Sequence, residues 1–224
     1  MAPGADQTLN TPMVLLAGAG SQIGVFAIPH LLACGFDIVA ISRSGKPRGW
    51  PDIERVRWLD EHAAIRAADG CEYLLSAGPM DLANRLLQAL EQLKKVIVFS
   101  STSVETKAGS ENPFENEQAS QLRELESNLR SSARGRDIDL LILRPTLVYG
   151  CGLDANISRL ANWIRRFGFM PVNGQAAGLR QPVHADDLAA VAVRALLNEG
   201  PLPEVLTVAG GETLSYADMV SRVF

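Results

Sequence analysis

The sequence has few of the residues that build disulfide scaffolds and metal centres. Its three cysteines, Cys34, Cys71 and Cys151, are scattered, and no pair of cysteines or histidines has the spacing of metal ligands. Because Cys34 and Cys71 fall in apolar segments, we predict buried, reduced thiols and no metal site. The sequence also lacks a signal peptide and any apolar run long enough to cross a bilayer, so we expect a cytoplasmic protein.

No strong excess of charge is present either. The net charge of −4 favours neither nucleic acid nor a membrane surface as a partner. The hydrophobic fraction of 47% over 224 residues is enough for the core of one α/β domain with a small appendage. Residues 1–12 are polar with two prolines and are predicted to form a disordered tail.

One stretch near the amino terminus reads as strand, glycine-rich turn, helix and second strand. Met13–Ala17 is an apolar run typical of a buried parallel strand, a helix-like segment covers Gln22–Ala33, and Phe36–Ile41 is the second strand. Glycines where strand becomes helix let the backbone approach a pyrophosphate at the helix amino terminus, although a plain tight turn is the alternative. The predicted phosphate-binding residues are Gly18, Gly20, Ser21, Gln22, Ile23 and Gly24.

The residues after the second strand bear on the choice of dinucleotide. An acidic residue at this place would bind the free ribose 2′-hydroxyl of NAD, but the sequence has Ser42 and Arg43, with Lys46 and Arg48 close by. Cations and a hydroxyl suit a 2′-phosphate, so NADP is favoured over NAD as cofactor. The alternative is a solvated basic loop.

Strand-like and helix-like segments alternate along the rest of the chain, which predicts a Rossmann-like doubly wound parallel sheet. We place a dinucleotide-binding domain at residues 13–150 and a small substrate lobe, interleaved with the last Rossmann elements, at 151–224. Trp58 lies either near an adenine or in the core. The predicted strands are Val56–Leu59, Glu72–Ser76, Val96–Phe99, Ile138–Leu143 and Glu204–Ala209. The predicted helices are Ala63–Ala68, Met80–Leu93, Gln118–Arg134, Ala155–Phe167 and Asp187–Leu197. Ala108–Glu117 is predicted to be a polar loop, Asp186 to cap the helix that starts at Asp187, and Ser215 to cap the helix that follows it.

Several segments, in the correct order along the chain, resemble motifs of the NAD-dependent epimerase/dehydratase family, the extended type of the short-chain dehydrogenase/reductase superfamily. The turn is similar to G-x-x-G-x-x-G, with Ser21 in place of the middle glycine, and Ala77-Gly78 matches the end of the fourth strand. The other matches are Ser100 to Val104 with S-S-x-x-V-Y-G, Arg144 to Gly150 with R-P-x-x-V-Y-G, Arg180 to Ala189 with R-x-x-x-H-V-x-D-L-A, and the late Gly210-Gly211-Glu212 segment. The resemblance runs from Val14 to Val223.

The resemblance implies roles for individual residues. Ser101 would hydrogen-bond the reacting carbonyl or hydroxyl. The alternative is that the hydroxyl cluster only satisfies the strand end by local hydrogen bonds. His184 and Asp187 would brace a helix. Cofactor contacts are implied for Ala77, Gly78, Ser100, Pro145, Thr146 and Leu147, and substrate contacts for Thr102, Tyr149 and Arg180.

The sequence departs from the family at its acid–base pair. With Glu126 aligned to the glutamate that usually follows Tyr-x-x-x-Lys, Gln118 takes the tyrosine position and Leu122 the lysine position. No tyrosine occurs between Tyr73 and Tyr149 and no lysine after Lys107, so the absence does not depend on the alignment. A tyrosine needs a neighbouring cation to act near neutral pH, and this chain offers neither group there.

Two functions remain open. The first is an atypical NADP-dependent oxidoreductase or nucleotide-sugar epimerase-like enzyme that uses Ser101 without the pair. The second is a non-catalytic NADP(H)-binding sensor or scaffold. Either would be a monomer or a homodimer.

Overall fold

A seven-stranded parallel sheet forms the centre of the chain. The structure is a computed structural model that describes residues 11–171 and 176–224; the predicted tail up to residue 10 lies outside the described residues. The strands of this sheet are β1 (Met13–Ala17), β2 (Asp37–Ile41), β3 (Val56–Leu59), β4 (Tyr73–Ser76), β5 (Lys95–Phe99), β6 (Asp139–Pro145) and β10 (Val205–Val208). Their order across the sheet is β10-β6-β5-β4-β1-β2-β3.

Helices cover both faces of this sheet, because the strands are apolar on both sides. α1 and α7 pack on one face with Leu16, Ile97 and Leu143; α2, α3 and α5 pack on the other with Leu15, Val96 and Ile142. The helices are α1 (Gln22–Ala33), α2 (Glu61–Ala67), α3 (Met80–Ala89), α4 (Ser103–Thr106), α5 (Pro113–Arg134), α6 (Ile157–Phe167), α7 (Ala185–Leu197) and α8 (Tyr216–Val223). The predicted fold class is confirmed.

A smaller apolar cluster lies beside the sheet. Leu160 and Ile164 of α6 pack against Met219 and Val220 of α8. Two short strand pairs border this region: β7 (Leu147–Tyr149) runs parallel to β9 (Pro182–His184), and β8 (Leu179–Arg180) runs antiparallel to β11 (Leu214–Ser215). These elements follow β6 in the chain, whereas α7 and β10 return to the main sheet.

Two local predictions are wrong. The stretch predicted as a polar loop to Glu117 is helical from Pro113, where proline occupies the first turn and Asn112 caps it by accepting the Phe114 N–H at 3.1 Å. Asp186 is not the cap of α7, since the helix begins at Ala185 and His184 Nδ1 accepts the Asp186 N–H at 3.2 Å. Ser215 does cap α8, as predicted.

Burial was predicted for Cys34 and Cys71, and it is confirmed for Cys71 only. All three thiols are free, and Cys71 is buried under β1 and β4, where burial raises its thiol pKa. Cys34 is exposed because it follows the last turn of α1, and Cys151 is also exposed.

No helix among the described residues is long and apolar enough to pass through a bilayer. Those residues contain no cluster of three or more acidic, histidine or cysteine side chains arranged to hold a metal.

The strand order reverses direction between β1 and β4. From β1 the chain proceeds through β2 to β3 on one side, and then crosses to β4 on the other side. At such a switch the loops after the two neighbouring strands diverge and leave a crevice at the carboxyl edge of the sheet. Gly18 follows β1 and Gly78 follows β4, so the fold places both glycines at that crevice.

Candidate functional site

The glycine-rich turn is held against the end of β4 by the shape of its backbone. Gly18 has a φ of 71°, and a Cβ there would lie 2.4 Å from the amide nitrogen of Gly78. From the sequence we expected Gly18→Val to remove cofactor binding without unfolding the protein. The structure contradicts that expectation, because the added carbons would meet the Ala77–Gly78 backbone and strain the fold itself.

Ser21 occupies the position where the family usually has its middle glycine. Its φ of −75° is open to any residue, and its hydroxyl caps α1 by accepting the Gly24 N–H at 3.0 Å. Gly24 lets the helix approach, because a Cβ there would lie 2.2 Å from the Gly18 carbonyl oxygen. Gly20 faces the second strand, where a Cβ would lie 2.8 Å from the Ser42 hydroxyl oxygen. The changed glycine pattern therefore still gives a tight turn that leads into a capped helix.

This turn borders a cavity of about 750 Å³ at the switch point. Seven of the residues predicted to bind the cofactor line it: Gly18, Gly20, Ser21, Ser42, Arg43, Ala77 and Gly78. The loop after β2, here called the β2 loop (residues 42–55), contributes Ser42, Arg43 and Ser44 to its lining. Of the other cations near Ser42, Lys46 pairs with Asp52, and neither Lys46 nor Arg48 lines the cavity.

Charged residues of α2 and α3, which the sequence analysis missed, form another wall of this cavity. Arg85 on α3 donates from Nε and Nη2 to the Glu61 carboxylate at 2.8 and 3.0 Å, and from Nη1 to Asp81 at 2.9 Å. These hydrogen bonds lower the pKa of both carboxyl groups. Asp60, which caps α2, and His62 line the same wall. Their position directly after β3 and β4 was the available signal, since ligands meet parallel strands at their carboxyl ends.

The two tryptophans near this region pack on each other rather than into the cavity. Trp58 and Trp50 make an edge-to-face pair with ring centroids 5.9 Å apart, and both pack against the apolar core on the α1 face. The cavity lining does not include Trp58. Trp58 was predicted to lie either near an adenine or in the core, and the structure favours the core.

A buried ionic network lies under the ends of β5 and β6. The Glu126 side chain is 1% exposed and receives a hydrogen bond from Ser100 Oγ at 2.6 Å. Arg144 donates to both of its oxygens, from Nε at 3.0 Å and from Nη2 at 2.5 Å. Arg144 also pairs with Glu105, and Arg130 donates to Glu126 at 2.9 Å. Glu105, which stands where the family has tyrosine, is thus a partner of Arg144.

The charge of Glu126 is stabilised by its donors. Burial alone would raise the pKa of this carboxyl group, but hydrogen bonds from Arg144 and Ser100, together with the charges of Arg144 and Arg130, bring it below its usual value of 4.5. Ser100 is therefore engaged by Glu126, on the α5 face of the sheet, and it does not line the cavity.

The neighbouring hydroxyl groups make local bonds. Ser101 Oγ donates to Ser103 Oγ at 3.0 Å and accepts the Ser103 N–H at 3.1 Å. Thr102 donates from its hydroxyl and from its backbone N–H to the Pro145 carbonyl, both at 3.2 Å. These contacts start α4 and tie the end of β5 to that of β6. Gln118 is exposed on α5, and Leu122 packs in the apolar layer between α5 and the sheet.

A second cavity, of about 370 Å³, lies between α6, α8 and β8. Leu147 and Arg180 line it, together with Arg159, Trp163 and Tyr216. Arg180 is exposed, and its Nη1 donates to the Leu179 carbonyl at 2.7 Å. Two cationic and two aromatic side chains thus share one opening. In the resembled family, the substrate region begins at the stretch that corresponds to residues 169–174. This stretch borders the second cavity in sequence, but its part from residue 172 lies outside the described residues.

Tyr149 and His184 form an aromatic pair between the paired strands β7 and β9. Their rings lie edge to face, 5.1 Å between centroids, and His184 also contacts Phe26 of α1 at 5.3 Å. Because Nδ1 of His184 caps α7, this histidine joins β9, α7 and α1. Thr146 donates to the Gln181 carbonyl and so links β6 to the strand pair.

Solved structures with a similar fold include a nucleotide-sugar dehydratase and a nucleotide-sugar epimerase. No protein-family model and no protein with a curated description matches the sequence. An NAD-dependent NDP-hexosamine 5,6-dehydratase, TunA, of tunicamycin biosynthesis superposes with a TM-score of 0.75 at 20% identity, covering 92% of this chain and 78% of that chain. The UDP-N-acetylglucosamine 4-epimerase of Methanobrevibacter ruminantium, solved with UDP-N-acetylmuramic acid, gives 0.75 at 18% identity, covering 94% and 80%.

A third similar structure contains the dinucleotide. The Bordetella bronchiseptica enzyme WbmF in complex with NAD+ superposes with a TM-score of 0.75 at 16% identity, covering 97% of this chain and 78% of that chain. At these identities the likeness concerns the fold. The chain therefore has a Rossmann-like fold, which it shares with these dehydratase, epimerase and NAD-bound structures.

Proposed function

We propose that the chain binds a nicotinamide dinucleotide, with NADP preferred, in the cavity at the switch point. The observation that carries this proposal is the convergence of the glycine turn, the capped start of α1 and the Ser42–Arg43 pair on one opening of about 750 Å³. The first N–H groups of a helix have no intrahelical acceptor, which suits a pyrophosphate. The tight approach of Gly18 to Gly78 leaves backbone, not side chain, at the floor.

The proposed cofactor contacts combine residues that line this cavity with residues that do not. Gln22, Ile23, Gly24, Pro145, Thr146 and Leu147 are outside its lining, and Leu147 lines the second cavity. Gly18, Gly20, Ser21, Gln22, Ile23 and Gly24 would surround the pyrophosphate, Ser42 and Arg43 the ribose phosphate, and Ala77, Gly78, Pro145, Thr146 and Leu147 the remainder. Ser100 supports the end of β5 through Glu126. We also propose that residues 13–150 form the dinucleotide-binding domain and residues 151–224 the substrate lobe.

The proposed substrate is a nucleotide sugar bound at the second cavity. Arg159 and Arg180 offer the positive charge that a diphosphate needs, and Trp163 and Tyr216 offer flat surfaces for a base. When bound, the nicotinamide would accept or supply a hydride. Ser101 would hydrogen-bond the reacting oxygen, with Ser103 as its neighbour in a two-hydroxyl chain; Thr102 and Tyr149 would border the substrate.

A second candidate function is a non-catalytic sensor or scaffold that binds NADP(H). The observation that favours it is the pair of side chains at the family's acid–base positions. Gln118 is exposed and Leu122 is packed in an apolar layer, so neither moves a proton. Both candidates require dinucleotide binding, and they differ only in turnover.

Titration with NADPH and NADH tests the proposal. We expect the protein to bind NADPH more tightly, and Arg43→Ala to lower NADPH affinity roughly 10-fold with little effect on NADH, because a charge-assisted contact contributes about 1.5–3 kcal/mol before solvent screening. Arg48→Ala is the matched control, since Arg48 is exposed in the same loop but does not line the cavity. Equal affinities of the wild type for the two dinucleotides would contradict the NADP assignment, and no saturable binding of either would contradict the site.

A further inference from the structure

Arg85 is held by three hydrogen bonds in the wall of the cavity that α2 and α3 form. It reaches from α3 to Glu61 on α2, 24 residues earlier in the chain, and to Asp81 one turn before it on its own helix. Three of its N–H donors are used, at distances between 2.8 and 3.0 Å. The guanidinium plane is therefore held in one orientation, although about half of the side chain, 51%, is exposed.

Arg85 with its two partners, Glu61 and Asp81, is called the clamp here. The charges of the clamp indicate which ligand it suits. One arginine balanced by two carboxylates, with Asp60 beside them, leaves an excess of negative charge on this wall. A phosphate would be repelled there. A flat, uncharged aromatic ring suits it, because a guanidinium whose edge is occupied by carboxylates still offers its face to a π system.

We propose that Arg85, clamped by Glu61 and Asp81, is the surface on which the adenine ring of the dinucleotide stacks. This inference rests on the proposed dinucleotide site. It divides the two sides of the cavity by chemistry: Arg43 on the β2 loop serves the ribose phosphate, and the clamp on α2 and α3 serves the base. Arg85 would thus be a binding residue, while Glu61 and Asp81 position it.

Calorimetric titration with ADP-ribose and with nicotinamide mononucleotide tests this role, because only the first contains adenine. We expect Arg85→Ala to weaken ADP-ribose binding roughly 3- to 30-fold, in line with the strength of cation–π contacts, and to leave nicotinamide mononucleotide unchanged. Arg85→Lys keeps the charge but loses the planar fork, so it should behave like Arg85→Ala. The pair Glu61→Gln with Asp81→Asn should give a smaller loss, because the guanidinium remains but is no longer fixed.

Arg66→Ala is the matched control, since Arg66 is exposed on α2 and lines a different cavity. Thermal unfolding of each variant separates loss of binding from loss of the fold, and Arg85→Lys decides the question if Arg85→Ala is unstable. ADP-ribose binding that is unchanged in Arg85→Ala, or fully retained in Arg85→Lys, would overturn this inference while the dinucleotide site stands. Failure of the wild type to bind ADP-ribose or either dinucleotide would overturn both.

Discussion

Replacing Glu126 with glutamine should lower the free energy of unfolding by about 3–5 kcal/mol, the usual cost of removing one partner from a buried ion pair. Glu126 is 1% exposed and Arg144 is 8% exposed, so water cannot replace the lost charge. The variant keeps the shape of the side chain and removes one negative charge from beside Arg144 and Arg130. Urea unfolding of the variant and the wild type measures the difference.

Glu124→Gln is the control for this experiment. Glu124 lies on the same helix but is exposed, and substitutions at such surface positions usually change stability by less than about 0.5 kcal/mol. Equal unfolding midpoints for Glu126→Gln and wild type would show that the network does not hold α5 to the ends of β5 and β6.

The same network predicts a dependence of stability on pH. Because the folded protein holds the pKa of Glu126 below its unfolded value, the stabilisation is fully present above that value and is lost as pH falls through the folded pKa. The wild type should therefore lose stability as the pH drops below about 4.5. Glu126→Gln, which has no proton to gain there, should lose less over the same interval.

The second large effect concerns turnover. With Gln118 and Leu122 at the tyrosine and lysine positions, epimerase or dehydratase turnover of common nucleotide sugars should be slower than in enzymes that have the pair, by about 10²–10⁴-fold for each acid–base group lost. The double variant Gln118→Tyr with Leu122→Lys should raise the residual rate, and each single variant should raise it less. A steady-state assay over a panel of nucleotide sugars with NADP and NAD measures this.

Helix α5 itself offers a matched control. Gln121 and Leu125 repeat the same residue types at the same spacing, three positions further along, so Gln121→Tyr with Leu125→Lys introduces the same groups on a shifted face. That control should not raise the rate. Wild-type turnover at the rate of enzymes with the pair would mean that another group moves the proton, and Tyr149, stacked on His184, would be examined first.

Much of the sheet could be predicted because buried parallel strands leave a strong local signal. Val56–Leu59 and Met13–Ala17 have the predicted bounds, and the other five strands of the sheet differ by at most two residues at each end. The two-residue strands β8 and β11 were missed, since so short a segment has no periodicity. The start of α5 was also missed, although the Asn112-Pro113 pair is a recognisable helix start.

Only those parts of the candidate site that come from one local stretch of sequence could be predicted. The glycine turn and Ser42–Arg43 lie within one βαβ unit, so their relation can be derived from local sequence. Arg85 meets Glu61, and Arg144 of β6 meets Glu126 of α5, only after the sheet has assembled and brought separate elements together. The sequence marks Glu126 as a residue for alignment but does not reveal its partners.

Hydrogen–deuterium exchange with and without NADPH tests the central claim, dinucleotide binding at the switch point, most directly. Backbone amides report on the turn, the β2 loop and the wall of the cavity in one experiment, whether or not the protein turns over a substrate. We predict slower exchange in peptides covering residues 17–24, 41–44 and 76–85 when NADPH is bound. Unchanged exchange in all three segments at a saturating NADPH concentration, or protection confined to other parts of the chain, would contradict the account.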